Sequence, residues 1–189
     1  MKKGVYTEFD TEKFLKKFVP VAKNKLCRTN KEVEEGARKV GFPLVLKLIS
    51  KDALHKSDIG GVRIVNYRLD LEKELRELTN IIKKHKIKAE GILVQEFVEG
   101  ESVLIGLKQD KSFGHAIVLG IGGIYTEYLK DVSFRVCPVT KKDVNEMIDE
   151  LKMKSLLFGV RGRKSVNLDL LKDVVVKVVR PGIDKTIKR

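Results

Sequence analysis

The sequence predicts an α+β fold divided into two lobes, and two observations carry this prediction. Capped amphipathic segments alternate with short apolar runs in the first half of the chain. Short apolar runs then dominate the middle of the chain, which is typical of a sheet. We expect an N-terminal region and first lobe over residues 1–93 and a second lobe over residues 94–189.

Each predicted helix begins near a residue that can cap it. Asp10 or Thr11 is expected to cap a short first helix, because either side chain can accept a hydrogen bond from the first turn. Thr29 and Glu32 have the spacing of a capping box, and Gly41 is expected to end the helix that they start. Further helices are predicted from Asp70 to Ile82, from Thr140 to Leu151 (where Thr140 and Asp143 repeat the capping-box spacing) and from Leu168 to Val179.

The predicted strands are short apolar runs bounded by polar or glycine-containing segments. Such runs suit buried strands, which are shorter than helices. They lie over residues 44–49, 62–65, 91–95, 103–107, 116–119 and 132–136.

Composition limits the classes of protein that this chain can belong to. It has 189 residues, of which 42% are hydrophobic and 34% are charged, so a packed core is expected and disorder is not. No stretch resembles a signal peptide or a membrane span, and we expect a cytoplasmic protein that does not bind a membrane. Cys27 and Cys137 are expected to be buried, reduced and inert.

The formal net charge of +13 has two interpretations. Lys and Glu are both abundant, Gln occurs twice and Trp is absent, which favours a solvated surface like those of thermophilic proteins. The alternative is nucleic-acid binding, for which the basic run over residues 83–88 is the best candidate. That run is expected to end a solvated helix and no aromatic platform accompanies it, so we predict no specific nucleic-acid partner.

Lys47 is the first candidate functional residue, because it interrupts an apolar run that predicts a strand. A lysine is almost never fully buried without a partner. Lys47 must therefore face either solvent, on an edge strand, or an anion. The functional interpretation is that Lys47 is a point charge that binds a phosphate group.

A polar loop with paired glycines follows this strand. Gly60 and Gly61 allow backbone N–H groups to approach a phosphate without interference from a Cβ atom. Lys56 adds a charge, Ser57 adds a hydroxyl, and a neutral imidazole at His55 can accept a phosphoryl group. A plain turn is the alternative interpretation of the two glycines.

A second glycine cluster covers residues 120–123, directly after a predicted strand. Its spacing is neither that of a dinucleotide-binding fingerprint nor that of a Walker A loop. It can still approach a ligand. His85 and His115 have no ligand-like neighbours in the sequence and are expected to be surface or structural residues.

In combination, these segments resemble the ATP-grasp domain of the NDP-forming acyl-CoA synthetases, the family of ADP-forming acetyl-CoA synthetase. The resemblance covers residues 8–171. It is carried by the strings Gly41-Phe42-Pro43-Leu44-Val45-Leu46-Lys47, His55-Lys56-Ser57-Asp58-Ile59-Gly60-Gly61-Val62, Val94-Gln95-Glu96-Phe97-Val98, Leu119-Gly120-Ile121-Gly122-Gly123-Ile124, Leu129-Lys130-Asp131-Val132-Ser133-Phe134-Arg135 and Gly159-Val160-Arg161-Gly162.

The resemblance implies an ATP-grasp fold of two α/β lobes with a nucleotide site between them. Lys47 would contact the phosphates of ATP or ADP, the paired glycines would lie in a loop over them, and residues 95–98 would form the hinge whose backbone meets the adenine. The predicted nucleotide-binding residues are Lys47, Lys56, Ser57, Gly60, Gly61, Gln95, Glu96, Phe97, Val98 and Glu101. The other residues of the family motifs are Asp58, Gly122, Gly123, Lys130, Asp131 and Arg135.

The resemblance also implies a reaction. In this family an acyl phosphate forms on a separate CoA-binding subunit, and a histidine relay carries the phosphoryl group to ADP to make ATP. His55 matches the histidine that carries phosphate on the nucleotide-binding subunit. Mg²⁺ would neutralise the phosphate charge. The implied partner is the CoA-binding alpha subunit, in a hetero-oligomer.

Two departures from the family pattern have consequences. The family has a glutamate directly before the strand that begins at residue 103. Ser102 is at that position here, and Glu101 comes one position earlier. In a strand, a shift of one residue points the side chain to the other face. The family's metal-binding segment, Leu-Asp-Ile-Asn-Pro, has no counterpart in the basic C-terminal stretch, where Asp184 is a weak candidate ligand. The metal ligands are therefore unknown, and a second hypothesis stays open: an inactive ATP-grasp remnant that acts as a nucleotide- or partner-binding module.

Overall fold

The computed structural model describes residues 6–52, 57–123, 130–160 and 164–179. Several predicted positions lie outside this part of the chain. They are His55, Lys56, residues 124–129, Arg161, Gly162 and Asp184. The described residues divide into two compact units, residues 6–98 and residues 99–179. The boundary predicted between residues 93 and 94 lies inside a strand of the first unit, so the observed division comes five residues later.

The N-terminal unit contains a four-stranded antiparallel sheet. Its strands are β1 (Asn24–Cys27), β2 (Leu44–Ile49), β3 (Val62–Val65) and β4 (Gly91–Glu96). Their order in the sheet is β1-β4-β2-β3, and every neighbouring pair is antiparallel. Strand β2 is therefore an interior strand. The apolar runs predicted β2 and β3 with their observed bounds and β4 to within one residue, whereas β1 was not predicted.

The described part of the N-terminal unit contains the α-helices α1 (Glu8–Leu15), α2 (Asn30–Val40) and α3 (Leu71–Lys84), with a 3₁₀ segment over Arg68–Asp70. The predicted cap of α2 is confirmed, since Thr29 accepts a hydrogen bond from the Glu32 amide. The predicted cap of α1 is wrong. Thr7, not Asp10 or Thr11, is the N-cap, and the Asp10 amide donates to its hydroxyl. The earlier start leaves Asp10 in the first turn, where its charge interacts favourably with the helix dipole.

The core of this unit lies between one face of the sheet and helices α2 and α3. Leu44, Leu46 and Leu48 alternate along β2 and pack in one buried cluster with Val33 of α2 and Leu78 of α3. Because successive strand residues point to opposite faces, Val45, Lys47 and Ile49 lie on the face away from these helices. We call this the open face of the N-terminal sheet because α2 and α3 do not cover it, although Val45 and Ile49 on it are buried. Cys27 is also in the core, and burial raises the pKa of its thiol, as expected for an inert cysteine.

The C-terminal unit contains a three-stranded antiparallel sheet with helices on one face. The strands are β5 (Val103–Asp110), β6 (Gly114–Ile121) and β7 (Val132–Val136), in that order across the sheet. The helices are α4 (Lys141–Glu150) and α5 (Leu168–Val178), with a 3₁₀ segment over Lys154–Phe158. The capping box of Thr140 and Asp143 is confirmed.

Alternating residues of the middle strand form the core of the C-terminal unit. Ile117, Leu119 and Ile121 of β6 pack in one cluster with Met147 of α4 and Val175 of α5. The helices and sheets together confirm the predicted α+β class. None of the described helices is long and apolar enough to cross a membrane.

Candidate functional site

Lys47 lies on the open face of the N-terminal sheet, in the middle of β2. Its cross-strand neighbours are Val62 on β3 and Leu93 on β4, so the edge-strand interpretation is wrong. The lysine side chain is 21% exposed. Its Nζ atom lies 2.6 Å from a carboxylate oxygen of Glu8 on α1, so the anion that pairs with Lys47 is a side chain of the same unit.

Gln95 lies on the same open face, one strand further across the sheet. It is 6% exposed, and its amide nitrogen donates to Glu12 Oε1 at 2.7 Å. Asn24 is its cross-strand neighbour on β1 and donates to the other oxygen of Glu12 at 2.6 Å. The structure thus brings together a short polar cluster that the sequence predicted only in part: Lys47 and Gln95 with Asn24, Glu8 and Glu12. We call these five residues the open-face cluster.

Sequence reasoning missed the two glutamates of the open-face cluster. They are four residues apart in α1, a spacing that puts both side chains on one face of a helix. This spacing was the only available signal, and it does not reveal which surface the helix meets.

The other predicted hinge residues have local structural roles. Glu96 ends β4, and its carboxylate accepts a hydrogen bond from the Lys23 amide at 3.1 Å. The Phe97 amide donates to the Pro43 carbonyl at 3.3 Å. Val98 is exposed and is the last residue of the N-terminal unit. Residues 97 and 98 therefore belong to the segment that leads out of β4, whereas residues 95 and 96 belong to the strand.

The paired glycines form the turn that leads into β3. Gly60 has a φ of 74°, a left-handed conformation that favours glycine, and its amide donates to the Ser57 carbonyl at 3.0 Å. The Gly61 carbonyl accepts from the Leu48 amide, which extends the pairing of β2 and β3 by one bond. Ser57 and Asp58 are exposed at the start of this turn. Gly60 and Gly61 therefore lie in a turn, and whether this turn also binds a phosphate stays a prediction.

The second glycine cluster is explained by close packing of backbone in the C-terminal unit. A Cβ atom added at Gly120 would lie 2.7 Å from the Asp131 carbonyl oxygen, and one added at Gly122 would lie 2.8 Å from the Ser102 Cβ. The Gly122 amide also donates to the Ser102 carbonyl at 2.7 Å. Gly123 has a φ of 70°. Glu101 is half-buried beside this contact.

Hydrogen bonds of residues 130–135 connect β7 to α4 and to the turn after it. Asp131 is 6% exposed, and its two carboxylate oxygens accept from the amides of Lys152 and Met153, each at 2.9 Å. Lys130 is exposed, with a φ of 46°. This motif therefore has a structural explanation at Asp131.

Ser133 and Arg135 are two and four residues beyond Asp131, on one face of β7, and both side chains contact Glu150 at the end of α4. The Ser133 hydroxyl donates to the Glu150 carboxylate, and Arg135 donates to both of its oxygens. The hydrogen bonds from Arg135 and, next, from Ser133 lower the pKa of Glu150 to about 2. The bond to Glu150 in turn raises the pKa of Arg135. We call Asp131, Ser133, Arg135 and Glu150 the β7–α4 clamp.

The described residues do not form a metal site. Within residues 6–52, 57–123, 130–160 and 164–179, no group of three or more His, Cys, Asp or Glu side chains is arranged to hold an ion. A magnesium ion that is held mainly by nucleotide phosphates and water does not require such a group.

Comparison with known proteins identifies the family. The model of the ATP-grasp domain family matches residues 1–184. The beta subunit of ADP-forming acetate–CoA ligase I from Pyrococcus furiosus is 40% identical over 165 residues, which are 85% of this chain and 71% of that subunit. ADP-forming acetate–CoA ligase I from Archaeoglobus fulgidus is 39% identical over 169 residues, 88% of this chain but 25% of that protein.

Solved structures of one archaeal enzyme agree with these matches. Acetyl-coenzyme A synthetase 1 of Ca. Korarchaeum cryptofilum, in complex with coenzyme A and Ca-AMPCP, has a TM-score of 0.88 at 36% identity, covering 95% of this chain and 80% of that one. A second structure of that enzyme has a TM-score of 0.76 at 35% identity, and the match covers 93% of this chain and 78% of that one. It holds coenzyme A and Mg-AMPPCP, with its phosphohistidine segment pointing towards the nucleotide-binding site.

The chain therefore belongs to the ATP-grasp domain family and, within it, to the family of the ADP-forming acetate–CoA ligase beta subunits. It spans a quarter of the Archaeoglobus relative and 71% of the Pyrococcus subunit.

Proposed function

We propose that this chain is the nucleotide-binding part of an ADP-forming acyl-CoA synthetase, and that Lys47 binds the nucleotide phosphates. The observation that carries the proposal is a half-buried cation in the middle of an interior strand, on the sheet face that helices α2 and α3 leave open. A lysine there is costly unless an anion accompanies it. Glu8 supplies one anion within the unit. Because the Korarchaeum relative binds adenine nucleotide analogues, a phosphate group is the external anion that we expect at Lys47.

The remaining nucleotide contacts are proposed from the same resemblance. Ser57, Gly60 and Gly61, with Lys56, would cover the phosphates, because a glycine turn with a nearby cation and hydroxyl suits a phosphate group. The segment from Gln95 to Val98 would meet the base, and Glu101 follows it in the chain. The exposed Val98 side chain and the turn at Gly60 are compatible with these roles.

The proposed reaction is a phosphoryl transfer through His55. In the direction of ATP use, an imidazole nitrogen of His55 attacks the γ-phosphorus, the bond from that phosphorus to the β,γ-bridging oxygen breaks, and ADP leaves. In the synthetic direction the phosphohistidine gives its phosphoryl group to ADP. The phosphohistidine segment of the Korarchaeum relative supports this route. Splitting one long transfer into two short ones lowers the barrier of each step.

The proposed partner is the CoA-binding alpha subunit, on which the acyl phosphate and acyl-CoA would be exchanged. Two relatives are named beta subunits, and that name implies another subunit. The carboxylic acid would be selected on the partner. Mg²⁺ is expected to accompany the nucleotide, as in the Mg-AMPPCP complex of the relative.

A labelling experiment tests the relay. The purified chain is incubated with magnesium and ATP labelled at the γ-phosphate, and protein-bound label is measured after acid and after alkali treatment. Phosphohistidine is lost in acid and survives alkali, so we expect acid-labile label that disappears in His55→Ala. The chain has three histidines, so His85→Ala and His115→Ala are matched controls that should keep the label. Nucleotide binding without label in the wild type would instead support a binding module.

A further inference from the structure

We propose that Glu8 sets the nucleotide affinity of this chain by competing with the nucleotide phosphate for the Lys47 ammonium. The inference rests on the proposed function, because it requires Lys47 to be the phosphate-binding cation. It adds a residue of α1, outside every motif of the family resemblance, to the determinants of nucleotide binding.

The ion pair of Glu8 and Lys47 is close and partly shielded from water. The two charged atoms are 2.6 Å apart, and the side chains are 28% and 21% exposed, respectively. Coulomb attraction at this distance is several times stronger in such surroundings than in bulk water. Since 39 residues separate the partners in sequence, the contact depends on where α1 lies on the sheet.

Glu12 holds α1 in the position that presents Glu8 to Lys47. Its two oxygens accept from Asn24 on β1 and from Gln95 on β4, which are direct cross-strand neighbours. Because Glu8 and Glu12 are one helical turn apart, this anchor fixes the face of α1 that meets the sheet. The open-face cluster is thus a set of sheet donors whose acceptors come from one short helix.

A phosphate bound to Lys47 would bring a second anion next to the Glu8 carboxylate. Like charges this close repel each other, so a phosphate must either displace Glu8 or bind against its charge. Displacement of the Glu8 side chain is feasible because that side chain is 28% exposed, even while Glu12 holds α1 on the sheet. Breaking the ion pair nevertheless costs free energy, and that cost lowers the affinity for nucleotide.

Neutralising Glu8 is therefore expected to strengthen nucleotide binding. By calorimetry with magnesium present, Glu8→Gln should bind ATP and ADP about 2- to 5-fold more tightly than the wild type, which corresponds to losing a competing ion pair worth up to about 1 kcal/mol. Glu8→Ala should change the affinity in the same direction. Adenosine, which has no phosphate, should bind equally to the wild type and to both variants.

Asp10→Asn is the matched control. It also removes a first-turn carboxylate from α1, but Asp10 accepts from the Thr7 hydroxyl and not from Lys47. Its affinity for ATP and ADP should equal that of the wild type. Circular dichroism of each variant shows whether α1 and the fold are retained.

The outcomes separate the two proposals. If the wild type binds ATP, Lys47→Ala abolishes binding and Glu8→Gln binds equally or more weakly, Glu8 is no competitor and the inference is overturned while the proposed function stands. The same holds if adenosine gains as much affinity as ATP. If neither the wild type nor Glu8→Gln binds nucleotide at millimolar concentration, the proposed function and the inference are both overturned.

Discussion

Replacement of Asp131 by alanine is expected to destabilise the C-terminal unit more than any other single change in the β7–α4 clamp. The Asp131 carboxylate is 6% exposed and accepts hydrogen bonds from the Lys152 and Met153 amides. These two amides belong to the turn that follows α4. The carboxylate therefore ties the start of β7 to the end of that helix.

The magnitude follows from the two hydrogen bonds that are lost. A hydrogen bond to a charged group contributes about 1.5–3 kcal/mol, and a donor left without an acceptor costs more when it is buried. Lys152 is exposed, so water can partly replace the carboxylate on that side. We expect Asp131→Ala to lower the free energy of unfolding by about 2–4 kcal/mol. Asp131→Asn keeps one acceptor oxygen but turns an NH₂ donor towards the other amide, so it should also be less stable than the wild type.

Urea denaturation followed by circular dichroism measures this change, provided that the slope of the unfolding free energy against urea concentration is the same in both proteins. Asp110→Ala is the matched control. Asp110 also accepts from two backbone amides, those of Ser112 and Phe113, but in an exposed turn. Water can replace that carboxylate, so the control should lose much less stability. An Asp131→Ala variant no less stable than the Asp110→Ala control would refute the reasoning.

Two further predictions concern the same unit. Because Arg135 lowers the pKa of Glu150 to about 2, the Glu150 carboxylate adds stability that is fully present above its ordinary pKa of 4.5 and is lost as the pH falls through about 2. Unfolding curves between these pH values should therefore depend less on pH for Glu150→Gln than for the wild type, and equal dependence would contradict this role. Gly122→Ala should cost about 1–3 kcal/mol, because the new Cβ would lie 2.8 Å from the Ser102 Cβ. Gly100→Ala, with no atom within 4 Å of its new Cβ, should leave the free energy of unfolding unchanged, and equal losses in the two variants would rule out the packing explanation.

Local sequence patterns predicted most of the secondary structure because those elements depend on local chemistry. The bounds of β2 follow from its apolar run, and the start of α4 follows from the capping box of Thr140 and Asp143. Strand β1 has no such pattern. Its sequence Asn-Lys-Leu-Cys is half polar, and it is a strand because it pairs with β4, nearly 70 positions away in the chain.

The functional groups show the same limit. The sequence indicated that Lys47 needs an anion, and the structure provides one, but Glu8 could not be predicted because its contact spans the chain from α1 to β2. For the β7–α4 clamp, strand alternation puts Asp131, Ser133 and Arg135 on one face. Their partners on α4 and in the turn after it depend on tertiary packing, which periodicity does not encode.

The most direct test of the central claim is the binding of ADP and ATP, with and without magnesium, to the wild type and to Lys47→Ala by calorimetry. The account predicts magnesium-dependent binding by the wild type that is lost in Lys47→Ala. Lys25→Ala should bind as the wild type does, because Lys25 of β1 pairs with Glu35. Equal binding by Lys47→Ala and the wild type would contradict the assignment of the open face as the phosphate site.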